Sequence, residues 1–111
     1  MESRLKDNTV DFMFSAILKL ETVEECYKFF EDICTAQEIK AMSQRVAVAQ
    51  MLKKGWVYSD IVSKTSASTA TISRVSRSLN QYSSGGYDLI FSRMTEEELA
   101  LLPKKDKDGD K

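Results

Sequence analysis

The 111 residues are 42% hydrophobic and 30% charged with a net charge of −1, which predicts one soluble globular domain rather than a disordered chain. The sequence has no histidine, which excludes imidazole bases, Ser/His or Cys/His nucleophile pairs and His-ligated zinc, and we therefore expect no enzyme, metal or cofactor. No apolar run approaches the roughly 20 residues that span a bilayer, and no signal-peptide pattern is present. We expect a cytoplasmic protein without a membrane partner.

Few residues interrupt helices, because the chain has one proline and four glycines, and we therefore expect an all-α fold. The first predicted helix runs from about Thr9 to Leu20, with apolar residues at helical spacing. Thr22 and Thr35 are each followed three residues later by a glutamate, which is the pattern of a capping box. A second helix is thus predicted after Thr22 and a third after Thr35, the third ending at Gly55.

The third predicted helix is long, about 18 residues or roughly 27 Å. One small monomer core cannot cover this helix and its two apolar neighbours together. We therefore expect a homodimer.

Residues 58–80 have the pattern of a helix-turn-helix. Ser59 can cap a first helix of under two turns, residues 66–68 form a tight turn, and Ser68 or Thr69 caps the second helix. Ser66 occupies a turn position that commonly holds glycine for a positive φ, at a tolerable cost of roughly 1 kcal/mol.

The second helix of this unit has two different faces. Ile72, Val75 and Leu79 fall within about 60° of one another at 100° per residue, so they commit one face to the core. The opposite face has small and hydroxyl side chains at its start and arginines further along, which suits base edges and phosphate oxygens. The candidate DNA-binding residues are Lys64, Ser68, Thr69, Ala70, Thr71, Ser73, Arg74 and Arg77.

A weak, solvated helix would also be rich in serine, threonine and arginine. It would not explain a turn between two helices whose apolar residues are placed to pack together. Nor would it explain the charge of residues 37–80, which carry seven basic and two acidic side chains between two net-acidic flanks. The pattern therefore favours recognition of double-stranded DNA.

The C-terminal part of the chain contains a connector, a short helix and a tail. Residues 83–86, Ser-Ser-Gly-Gly, predict a flexible connector. Thr95 begins a third capping box, which predicts a short helix through Leu102. Residues 104–111 contain no apolar side chain and are predicted to be disordered, which leaves residues 1–103 as a single domain.

Several stretches of the chain resemble the Trp-repressor-like proteins, and among them the YerC/YecD branch. The matching stretches are residues 24–32, 43–46, 67–75 and 84–87, and they span most of residues 11–87. The most specific is 67–75, which reads Ala-Ser-Thr-Ala-Thr-Ile-Ser-Arg-Val. The resemblance implies an interlocked, all-helical homodimer with two helix-turn-helix units in successive major grooves, and a role as a DNA-binding transcriptional regulator.

The resemblance also implies where an effector pocket would lie. In the Trp repressor two arginines sandwich the indole of bound tryptophan, and these roles fall on Arg45 and Arg74. A threonine and a serine near the ligand fall on Thr35 and Ser78. Val75 stands where the repressor has a glycine, and its β-branched side chain would fill the space against which the ligand packs. We therefore expect no binding of L-tryptophan.

The leading functional hypothesis is a homodimeric, sequence-specific DNA-binding regulator. The alternative is a helical protein-interaction module that uses the helix-turn-helix shape to bind a protein partner. Salt separates the two, because contacts of lysine and arginine with phosphate weaken steeply as salt is added, whereas an apolar protein interface need not.

Overall fold

A computed structural model describes residues 3–81 and 83–104, in which the chain forms seven helices and no strand. The all-α prediction is therefore confirmed. The helices are α1 (Asn8–Ile17), α2 (Val23–Ile33), α3 (Ala36–Lys53), α4 (Tyr58–Thr65), α5 (Thr69–Asn80), α6 (Gly86–Arg93) and α7 (Glu96–Leu99). None of these seven is long and apolar enough to cross a membrane. The chain divides into two compact units, the first ending at Ile39 and the second beginning at Lys40.

Threonine caps begin three helices where the sequence predicts them. The Oγ1 of Thr22, Thr35 and Thr95 each accepts a hydrogen bond from the backbone N–H three residues later, over 3.0 or 3.1 Å. At Thr35 and Thr95 the glutamate side chain also accepts from the N–H of the threonine, which completes the capping box. The prediction for Glu25 is wrong in one detail, because its carboxylate accepts from the N–H of Glu21 instead.

The helices of the first unit leave apolar side chains uncovered. Neither α1 nor α2 contains a buried residue, and α1 ends at Ile17 rather than at the predicted Leu20. Phe12, Leu18 and Val23 are 77%, 81% and 70% exposed. These large apolar side chains therefore have no cover within the described part of one chain.

The second unit has a closed core, built from α3, α4, α5 and the segment between α3 and α4. Its buried apolar side chains are Val48, Ala49, Met51, Trp56, Ile61, Ala67, Ile72 and Val75. The partly buried side chains Leu79, Tyr87 and Phe91 pack against this cluster, and the rings of Tyr87 and Phe91 stack with centroids 6.1 Å apart. The helix-turn-helix therefore belongs to a packed core.

Helix α6 is not predicted by the sequence pattern, which favours a connector over residues 83–86. Gly85 has a φ of +86° and caps α6, and Gly86 is the first helical residue. Glycine is a poor helix former, so an eight-residue helix that begins with it gives a weak local signal. In the structure, Tyr87 and Phe91 of α6 pack against the core, and Asp88 forms an ion pair with Lys53 of α3.

The ends of α3 and α7 can also be compared with the ends that the sequence predicts. α3 is followed by Gly55 with a φ of +86°, as the sequence predicts. α7 ends at Leu99 rather than at the predicted Leu102. Of the predicted disordered tail, residues 104–111, Lys104 is described and exposed, and residues 105–111 lie outside the described residues.

Ser66 tests the strain that the sequence predicts in the turn. It has a φ of +62° and is the one residue other than glycine with a positive φ in the part of the chain that the structure describes. We expect Ser66→Gly to raise the free energy of unfolding by about 0.5–1 kcal/mol, because glycine adopts this conformation without a Cβ clash. We expect Ser66→Val to lower it by about 1–2 kcal/mol. Urea unfolding of the three proteins measures both changes, and a glycine variant less stable than the wild type contradicts the strain.

Candidate nucleic-acid interface

Helices α4 and α5 are joined by the three residues 66–68, as predicted for a helix-turn-helix. α4 has eight residues, slightly more than the predicted length. It begins after Val57 without a side-chain cap, so the predicted cap at Ser59 is wrong. Of the two residues predicted to cap α5, Ser68 does so, and its Oγ accepts from the N–H of Thr71 over 3.1 Å.

Thr65 organises the turn between the two helices. Its Oγ1 donates to the carbonyl of Ile61 at 2.7 Å and accepts from the N–H of Ala67 at 3.0 Å. Its own carbonyl accepts from Nε2 of Gln44 on α3 at 3.1 Å. No sequence spacing connects Gln44 with Thr65, and the sequence pattern therefore misses both residues.

The two faces of α5 are clearly separated by burial. Ile72 and Val75 are 0% and 1% exposed, so one face is fully committed to the core. Of the candidate DNA-binding residues, Thr71 and Ser73 are partly buried, whereas those on the surface are Lys64, Ser68, Thr69, Ala70, Arg74 and Arg77. The exposed candidates thus lie on α5, on its N-cap and on the end of α4, and we call them the outer surface.

The charge of this outer surface is positive. α5 contains no acidic residue, and its N-terminus carries the partial positive charge of the helix dipole. Within the described residues the ion pairs are Lys6–Asp11 and Lys53–Asp88, so neither of them neutralises Lys64, Arg74 or Arg77. The surface therefore offers cations, hydroxyl groups and a helix N-terminus to an anionic partner.

Two residues of the predicted effector pocket, Thr35 and Val75, have structural roles in this chain. Thr35 caps α3, as described above, and lies in the first unit. Arg45 and Ser78 are partly buried and Arg74 is exposed. Val75 lies in the core cluster, so its side chain occupies interior space.

An open groove of about 410 Å³ lies beside this region in the second unit. Its lining includes Val46, Tyr87, Ile90 and Phe91. Of the five residues predicted for the effector pocket, Ser78 is the one that lines this groove.

The fold and this surface define an all-helical protein with a helix-turn-helix whose outer face is cationic. The Trp repressor protein family matches residues 8–95, and the chain therefore belongs to this family. The Bacillus subtilis (strain 168) protein YerC is 46% identical over 95 residues, which cover 86% of this chain and 90% of YerC.

Two crystal structures are similar to this chain. One is described as a "putative Trp repressor" from Staphylococcus aureus, with 50% identity, a TM-score of 0.78, and coverage of 82% of this chain and 90% of that one. The other is a "TrpR like protein" from Eubacterium eligens ATCC 27750, with 51% identity, a TM-score of 0.79, and coverage of 91% and 98%. Both agree with the family membership and with the fold.

The contrast between the two faces of α5 predicts unequal effects of substitution on stability. We expect Val75→Ala to lower the free energy of unfolding by about 2 kcal/mol, because it leaves a cavity in a closed core. We expect Arg74→Ala, on the neighbouring position of the same helix, to change it by less than about 0.5 kcal/mol. Equal losses of stability in urea unfolding would show that the two faces are not separated in solution.

Proposed function

We propose that this protein is a cytoplasmic, homodimeric, sequence-specific DNA-binding regulator that represses transcription. It acts through the helix-turn-helix of about residues 58–80 within a single domain of residues 1–103. The observation that carries the proposal is α5, whose inner face is buried by Ile72 and Val75 while its outer face presents Arg74 and Arg77. Membership of the Trp repressor family supports the same function.

The candidate DNA-binding residues divide by chemistry into two groups of contacts. Small and hydroxyl side chains near the start of α5, Thr69, Ala70 and Ser73, suit close approach to base edges in the major groove. The Ser68 and Thr71 hydroxyls, the Lys64 ammonium and the N-terminus of α5 suit phosphate oxygens. Arg74 and Arg77 can donate either to the paired acceptors of guanine or to phosphate.

A second copy of the chain is the partner that we propose for the exposed apolar residues of α1 and α2. A soluble monomer rarely leaves several large apolar side chains as exposed as Phe12, Leu18 and Val23. Two copies of one helix-turn-helix also present two α5 helices, which a dimer can place in two successive major grooves. The proposed assembly therefore covers the first unit and pairs the DNA-reading helices.

Replacing the outer arginines tests DNA recognition. We expect the wild type to enrich particular sequences from a random double-stranded pool and to lose affinity steeply with added salt. Arg74→Ala and Arg77→Ala should each weaken binding to the enriched sequence by about 1–3 kcal/mol where the arginine reads guanine, and should weaken all sequences alike where it contacts phosphate.

Arg93→Ala is the matched control, since Arg93 is an exposed arginine in the last turn of α6. It should leave the affinity unchanged. Unchanged affinity in both α5 variants contradicts the assignment of α5 as the reading helix. Tight but salt-insensitive binding to a protein, without enrichment of DNA, supports a protein-interaction module instead.

Sedimentation tests the proposed dimer. An interlocked interface buries more than the roughly 1,600 Å² of a standard protein complex, so folding and assembly should be one transition. We expect a dimer at micromolar concentration and a midpoint of unfolding that rises with protein concentration. A stable, folded monomer at micromolar concentration contradicts the dimer.

Calorimetry with L-tryptophan tests whether an effector is needed. We expect no measurable binding to the wild type, because the Val75 side chain is 1% exposed and part of the core. DNA binding should accordingly be independent of tryptophan. Binding gained in Val75→Gly would show that this side chain closes the pocket, whereas saturable micromolar binding to the wild type would show that it does not.

A further inference from the structure

One hydrogen bond joins the helix-turn-helix to a helix outside it. The side-chain amide of Gln44, in the middle of α3, donates from Nε2 to the carbonyl oxygen of Thr65 at 3.1 Å. Among the described residues, two side-chain hydrogen bonds join different helices. The bond between Lys53 and Asp88 joins α3 to α6, so the bond from Gln44 is the one that connects α4, the turn or α5 with another helix. We call α4, the turn of residues 66–68 and α5 together the reading unit. Gln44 is therefore placed to influence the position of this whole unit.

Apolar side chains also join α3 to α4 and α5. Val48 and Met51 of α3 lie in one cluster with Ile61, Ile72 and Val75. Apolar burial stabilises this arrangement but is not directional, so it constrains a small rotation of α4 and α5 weakly. A hydrogen bond loses strength as its angle and length depart from the optimum. Gln44 therefore supplies the directional restraint that the apolar cluster lacks.

The acceptor of this bond, the carbonyl oxygen of Thr65, lies where α4 ends and the turn begins. Thr65 is the last residue of α4, where backbone carbonyls have no partner within the helix. The same residue holds the turn through its Oγ1, which accepts from the N–H of Ala67 at 3.0 Å. The contact with Gln44 is partly buried, so its loss leaves a carbonyl without a partner where water has limited access.

We propose that Gln44 is a positioning residue for DNA recognition, which fixes the orientation of α5 relative to α3 through the carbonyl of Thr65. This proposal rests on the proposed function. α3 runs from the first unit, where we place the dimer contacts, into the second unit, which contains α5. A rotation of the reading unit on α3 changes the separation of the two α5 helices in the dimer, and hence the spacing of the two DNA half-sites.

Selection from a random DNA pool, carried out with variants of the full chain, tests the proposal. Gln44→Met keeps the length and volume of the side chain but removes the donor. We expect the wild type to enrich half-sites at one spacing and Gln44→Met to enrich them over several spacings. The affinity for the wild-type sequence should fall about fivefold to tenfold, as expected for the loss of one partly buried hydrogen bond. Affinity for unrelated DNA should change less than twofold.

Two further variants separate positioning from general damage. Gln37→Met makes the same substitution at an exposed position in the first turn of α3, outside the apolar side chains of α1 and α2 to which we assign the dimer contacts, and should behave as the wild type does. Gln44→Lys restores a donor that can reach the carbonyl. It should restore the single half-site spacing, while its added charge strengthens binding to unrelated DNA. Because Gln44→Lys tests the donor directly, the proposal remains testable even where Gln44→Met fails to fold.

Each outcome has a distinct meaning. Wild-type spacing and affinity in Gln44→Met show that Gln44 does not position the reading unit. An equal loss of affinity for all sequences, with unchanged spacing, shows that Gln44 contacts phosphate and also overturns the proposal. A wild-type protein that enriches no DNA sequence refutes the proposed function itself, whereas enrichment by the wild type with no change in the variants refutes only the role of Gln44.

Discussion

The burial of one face of α5 is the constraint on which the rest of the account depends. Ile72 and Val75 are almost fully buried in a cluster that also contains Val48 of α3 and Ile61 of α4. Burial of each such side chain contributes about 1.5–3 kcal/mol. Turning α5 about its axis would expose these side chains and bury charged ones, so the arginines are held on the outside. The cationic surface is thus a consequence of the core.

The sequence predicts the threonine caps, the inner face of α5 and the turn at Ser66, because each depends on residues close together in the chain. The threonine caps before α2, α3 and α7 satisfy backbone N–H groups within one turn, so the spacing of a threonine and a glutamate is sufficient. The inner face of α5 follows in the same way from the positions of Ile72 and Val75 along a helix. Ser66 was predicted to take a positive φ in spite of its residue type, because its place between two helices is the stronger signal.

The parts that sequence could not predict depend on contacts between distant residues. α6 begins with glycine, and its contacts with the core and the ion pair between Asp88 and Lys53 join residues that are far apart in sequence. The bond between Gln44 and Thr65 likewise crosses 21 positions and follows no periodic pattern. The cap predicted at Ser59 is wrong because α4 already begins at Tyr58, after Val57. Of Ser68 and Thr69, both predicted as caps of α5, the structure selects Ser68.

Val75 connects the core with the question of regulation. Its side chain completes the apolar cluster in a region where the resemblance to the Trp repressor implies an effector. Because the chain's own valine fills this part of the core, we propose that no ligand is needed to hold α5 in place and that the hydrogen bond from Gln44 adds a directional contact. On this proposal, α4, the turn and α5 are ordered before any small molecule binds.

Interference by methylated guanine N7 is the measurement that tests the central claim most directly. The probe is DNA that the wild-type protein enriches, methylated sparsely at guanine N7, which lies in the major groove. The account predicts that methylation blocks binding at guanines in two clusters about one helical turn apart, because each α5 enters one major groove with its outer face. Tight binding to this DNA with no interference at any guanine would contradict it.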